Sequence, residues 1–140
     1  MFRNARSAKA APSRPTALRG NCAGAAVLLI IQFGIGVSAN LYVTLPHHKS
    51  FLPAVFSSAV LAAHAILALW LLGTATAALV RAIRARRAIV FTSMALVAIL
   101  AAGIAGAVFV GNPGNGASLA MALATAVAML CYLAAVFSLR

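Results

Sequence analysis

The sequence predicts an all-α protein: a four-helix transmembrane bundle, up-down-up-down, with N- and C-termini cytoplasmic. Three observations predict it. Hydrophobic residues make up 64% of the 140, mean hydropathy is +1.06, and Asp plus Glu is zero. A soluble domain carries about 25% charged residues, whereas this chain has 8%, too few to cover a globule. Four continuous apolar runs are separated by short breaks, and each reaches the roughly 20 residues that cross a bilayer. Their continuity excludes the alternating strands of a membrane barrel. Finally, ten of the eleven basic residues fall at one set of run ends, leaving only Lys49 at the other. That asymmetry is the positive-inside pattern and sets the orientation.

Residues 1–21 hold Arg3, Arg6, Lys9, Arg14 and Arg19 among Ser, Pro and Ala without apolar periodicity. They read as a disordered basic cytoplasmic tail, and 22–140 as the four-span membrane domain. The first span runs from Ala23 to Leu45 and stops at Pro46-His47-His48-Lys49-Ser50. Val37-Ser38-Ala39 has the form of a cleavage site. The apolar run continues through Leu41, Tyr42 and Val43, however, so an uncleaved anchor is expected. The second span runs from Pro53 to Val80, with proline in a first turn. Its 28 residues exceed a simple crossing, so it should tilt or extend past the interface. Arg81, Arg84, Arg86 and Arg87 follow, placed to contact anionic lipid head groups. The third span runs from Ala88 to Val110, Gly111-Asn112-Pro113-Gly114-Asn115-Gly116 makes a turn, and the fourth runs from Ser118 to Leu139. Short connections make consecutive spans antiparallel neighbours.

The absence of carboxylates removes whole classes of chemistry. General acid–base work by Asp or Glu, a Ser–His–Asp triad, and an oxygen cage for calcium or magnesium all need them. So does export driven through a membrane-embedded glutamate. The net charge of +11 sits at helix ends rather than on a folded basic domain, so no nucleic acid is expected as a partner. Cys22 and Cys131 have no metal-ligand spacing and read as reduced packing residues.

Polar groups inside the spans are the places to look for function. Gln32, Gly36 and Asn40 share one face of the first span at four-residue spacing, and Ser57 and His64 share one face of the second. Counted from the outer ends, Gln32 is thirteen residues deep and His64 eleven, while Asn40 is five and Ser57 four. Antiparallel packing therefore sets Gln32 beside His64 and Asn40 beside Ser57, with Gly36 permitting close approach. The expectation is an intramembrane polar seam that holds two helices together. His64 also admits other roles, as a haem ligand, a proton relay or a hydrogen-bond partner for a quinone. Haem would need a second axial ligand; no other His lies within a span, and Met121 is the candidate thioether. His47 and His48 flank the outer loop; adjacent histidines point apart, so they read as a solvated cap, not a metal site. Ser118, Thr125 and Tyr132 share a face of the fourth span and should stitch helices together. Gly103 and Gly106, with Ala102 and Ala107, favour tight packing within the chain or between copies. Trp70 reads as a packing or lipid-facing residue. Ser57, Ser58 and Thr74 form no catalytic dyad with His64, so no enzyme, cofactor or metal is expected.

At Gln32, at Asn40-Leu41-Tyr42-Val43-Thr44-Leu45-Pro46-His47-His48, at His64-Ala65 and at Asn115-Gly116-Ala117-Ser118, the chain resembles a group of small bacterial four-helix integral membrane proteins. Their mark is an Asn-Leu-Tyr-Val-Thr-x-Pro-x-His element ending the first span. The resemblance extends over most of residues 25–139 and implies a fold and a multi-pass place in the bacterial plasma membrane, but no reaction. Those proteins carry a longer outer loop with occasional acids, where this chain has a short loop and none. The expected role is a non-enzymatic packing, interaction or accessory subunit, as a homo-oligomer or in a larger membrane complex. The alternatives are a carrier for a neutral or lipid-like solute and a redox component using His64.

Overall fold

A computed structural model describes residues 14–43 and 51–140. Five helices follow in order: α1 (Arg14–Tyr42), α2 (Phe51–Val55), α3 (Ala59–Ala85), α4 (Ile89–Gly111) and α5 (Asn115–Ser138). Four of them, all but the short α2, are long and apolar enough to cross a membrane. The chain is thus an all-α four-helix bundle and a small multi-pass membrane protein.

The long helices form a closed ring. α1 packs against α3 and α5, and α4 against α3 and α5, so α1 stands across the bundle from α4. Gly36 meets His64, Ala39 clusters with Leu61, and Ala17 shares a cleft with Arg81, so α1 and α3 run antiparallel. Gly106 meets Met121, and α4 and α5 do the same.

The core is built mostly of alanine. Ala75, Ala78 and Ala82 of α3, Ala95 of α4, and Ala128 and Ala135 of α5 are fully or nearly fully buried. Apolar burial cannot drive helices together inside lipid, so close backbone approach must, and small side chains permit it. Into this alanine-lined space α1 sends Leu18, Cys22 and Leu29, and α5 sends Tyr132, the largest fully buried side chain. The core is lopsided. The buried residues of α4 lie between Thr92 and Ile99, and those of α5 between Thr125 and Ala135, both toward the arginine end. Beyond them, among the described residues, a small cluster of Ala39 and Leu61, flanked by Val43 and Phe109, closes the α1–α3 side.

Three boundaries differ from the sequence reading. α1 begins at Arg14, so residues 14–21, read as tail, are helical. Leu18 and Cys22 carry the buried stripe through them at four-residue spacing, while Arg19 faces outward. The charge made this stretch look like tail; the apolar stripe makes it helix. The second apolar run is two helices, not one. Ser58 ends the continuity: its backbone is extended and its side chain accepts from the Val60 N–H at 3.3 Å, capping α3. The short α2 lies against α4 and α3 and buries Ala54 and Val55. Finally, Arg81 and Arg84 belong to α3, and only residues 86–88 form the turn.

That turn is a Schellman closure with the wrong residue for its geometry. Arg87 N–H donates to Ala82 O and Arg86 N–H to Ile83 O, both at 3.1 Å. Arg86 then has φ 52° and Ala88 φ 55°, left-handed positions that favour glycine. Each costs about 1–2 kcal/mol in a residue with a Cβ. Ala88→Gly should therefore stabilise the bundle by about 1 kcal/mol, read as a higher thermal midpoint in detergent.

Candidate functional site

The candidate site lies where the main core gives way to the small Ala39–Leu61 cluster. Gln32 projects from the buried stripe of α1 and is 7% exposed; His64 projects from α3 at the same level. The Gln32 amide nitrogen donates to the His64 carbonyl at 3.1 Å and lies 3.1 Å from His64 Nε2. The first contact identifies this end of the amide as the NH₂ group, because two oxygens would repel. The second hydrogen then points to Nε2, which must accept it and so carries no proton. The ring is neutral with its hydrogen on Nδ1. Both amide hydrogens of Gln32 are thus committed to one residue of the facing helix.

Gly36, one turn along α1, makes this possible. A Cβ there would lie 2.9 Å from His64 Cε1 and 3.5 Å from Nδ1. The ring occupies the space that any other residue would fill. Two atoms of the pair, Gln32 Oε1 and His64 Nδ1, are buried with no hydrogen-bond partner among the described residues. The pair is accordingly fixed on one side and open to one further acceptor and one further donor on the other.

The Asn40–Ser57 half of the expected seam is not assembled. Asn40 is exposed, and no hydrogen bond among the described residues joins it to Ser57. Ser57 lies in the break before α3 and donates to Ala54 O at 2.7 Å, so it does not share a helical face with His64. Its hydroxyl is used to end α2. His47 and His48 lie outside the described residues. Among those described, no group of three or more His, Cys, Asp or Glu gathers.

The stitching expected of α5 takes another form. Thr125 donates to Met121 O of its own helix at 2.8 Å, a local back-bond that satisfies the hydroxyl without a neighbour. Tyr132 sits in the core with its hydroxyl unpartnered among the described residues. Both cysteines are free and buried. Gly106 faces Met121, whose Sδ would lie 3.4 Å from an added Cβ, while Gly103 and Ala107 face outward, as does Trp70. Arg81, Arg84, Arg86 and Arg87 are all exposed, the last two in the turn, and Arg81 also lines a cleft between α1 and α3. That cleft holds Asn21, which hydropathy reading passes over because it precedes the apolar run.

Chemically, the Gln32–His64 pair is a helix clamp. The His64 Nε2 is occupied by the Gln32 amide, and its Nδ1 has no hydrogen-bond partner among the described residues. Gln32→Ala and His64→Ala should each destabilise the bundle, with a double mutant less damaged than the sum. Interhelical hydrogen bonds in membranes set that coupling at about 0.6–2 kcal/mol. Reversible unfolding in detergent reads it, and strictly additive losses would contradict the clamp. No protein family, curated protein or solved structure matches this chain.

Proposed function

We propose that this protein is a non-enzymatic membrane subunit that acts through packing and interaction, as a homo-oligomer or as an accessory part of a larger membrane complex. The observation that carries the reading is the Gln32–His64 clamp. Gln32 and His64, polar residues within two of the spans, are hydrogen-bonded to each other and so join α1 to α3. The outward small residues Gly103, Ala107 and Gly111 on α4 are consistent with it, since neighbouring helices pack closely on such positions. The arginine turn and both chain ends face the cytoplasm of a bacterial cell in this reading, following the positive-inside pattern. Arg81, Arg84, Arg86 and Arg87 then meet the anionic head groups of the inner leaflet.

Gentle purification in native lipid, with an absorbance spectrum and mass spectrometry of everything that accompanies the chain, tests this. The expected particle is heavier than the 14.2 kDa chain and its lipid, and it has no Soret band. A Soret band would favour redox work through His64. A lone chain that moves a neutral solute across liposomes would favour a carrier.

A further inference from the structure

The arginine end of the α1–α3 groove holds a cleft of about 280 Å³, lined among others by Gly20, Asn21, Gly24, Leu28, Thr74 and Arg81. Its composition is graded. Arg81 and Asn21 lie toward the arginine end, and Leu28 lies deeper along the span. From Ala17 to Leu28 the cleft follows eleven residues of helix, about 16 Å at 1.5 Å per residue.

Two features of the polar end call for an anion. Arg81 makes no hydrogen bond or ion pair among the described residues. With no Asp or Glu anywhere in the sequence, no side-chain carboxylate of this chain can neutralise it. Asn21 Nδ2 is buried and donates to nothing among the described residues, and a buried donor left unpaired costs about 1–3 kcal/mol. Thr74, by contrast, is already satisfied by donating to Leu71 O at 2.8 Å. A Cβ added at Gly20 or at Gly24 would meet nothing within 4 Å, so both positions border open space that a larger side chain could fill.

We infer that this cleft binds one anionic phospholipid, its phosphodiester on Arg81 and Asn21 and the start of an acyl chain along Leu28. A lateral opening between two membrane-crossing helices, cationic at one end and apolar at the other, matches that amphipathic ligand. An arginine offers the planar fork of donors that suits phosphate oxygens.

Native mass spectrometry of the full chain in neutral detergent tests the inference, with phosphatidylglycerol, phosphatidylcholine and inorganic phosphate titrated separately. The chain should retain one phosphatidylglycerol in preference to phosphatidylcholine. Arg81→Ala should weaken retention about fivefold or more, the effect of about one basic contact near the surface. Gly24→Leu keeps every charge but fills the cleft and should abolish the preference, whereas Arg86→Ala, in the turn, should leave it unchanged. Gly24→Ala, which adds only the Cβ that has room, provides a folded intermediate with a smaller loss. Equal losses for Arg81→Ala and Arg86→Ala would mean diffuse surface attraction and would overturn the site. So would a preference that survives Gly24→Leu. Binding of inorganic phosphate as tight as that of the lipid would assign the cleft to a free anion instead.

Discussion

Tyr132→Ala should cost the bundle about 3 kcal/mol, the largest loss expected of any single truncation in this chain. Tyr132 is the biggest side chain with no exposure, and its neighbours in the core are mostly alanines and cysteines too short to close over a cavity. In lipid the loss is of packing contacts, since the removed atoms exchange one apolar surrounding for another. Tyr132→Phe should act in the opposite direction. The hydroxyl is buried without a partner among the described residues, so its removal relieves a desolvation cost and should stabilise by about 1 kcal/mol. Detergent-titrated unfolding of the two variants beside the parent separates shape from polarity. If Phe destabilises as Ala does, the hydroxyl has a partner that this account lacks.

Gly36→Leu should destabilise by about 2 kcal/mol, within the range for overpacking a close contact. The Cβ alone would stand 2.9 Å from His64 Cε1, so the ring must move and the Gln32 amide must release it. The same substitution made in a His64→Ala background should cost less than about 1 kcal/mol, because the ring that it strikes is gone. Equal costs in the two backgrounds would place the damage elsewhere on α1. This pair of measurements isolates the ring contact from general effects of adding bulk to a membrane helix.

The number of spans and the alternation of their directions were legible because hydropathy and charge register directly what a bilayer demands. Counting depth from the outer ends set residue 32 level with residue 64, and in the structure those side chains are hydrogen-bonded. The same count also paired Asn40 with Ser57, where the structure has no such bond. It treated the second apolar run as one continuous helix, and hydropathy does not sense a backbone break. Ser57 and Ser58 carry that break: one closes α2 and the other caps α3. The start of α1 was hidden for a related reason. Arg14 and Arg19 dominate the local charge, and the buried stripe through Leu18 and Cys22 is visible only when positions are read four apart. Thr125 looked like an interhelical donor because polarity was legible but its direction was not; its hydroxyl finds a carbonyl on its own helix. The Arg81–Asn21 cleft joins residues sixty positions apart on two helices and has no local signature at all.

Side-specific labelling of single cysteines in intact cells tests the central claim most directly. In a background with Cys22 and Cys131 replaced by Ala, Arg84→Cys and Asn115→Cys stand at opposite ends of the bundle. The account predicts that an impermeant thiol reagent applied from outside modifies Asn115→Cys and reaches Arg84→Cys only after the membrane is opened. Labelling of both from the same side would mean that α4 does not cross, and the antiparallel bundle described above would be wrong.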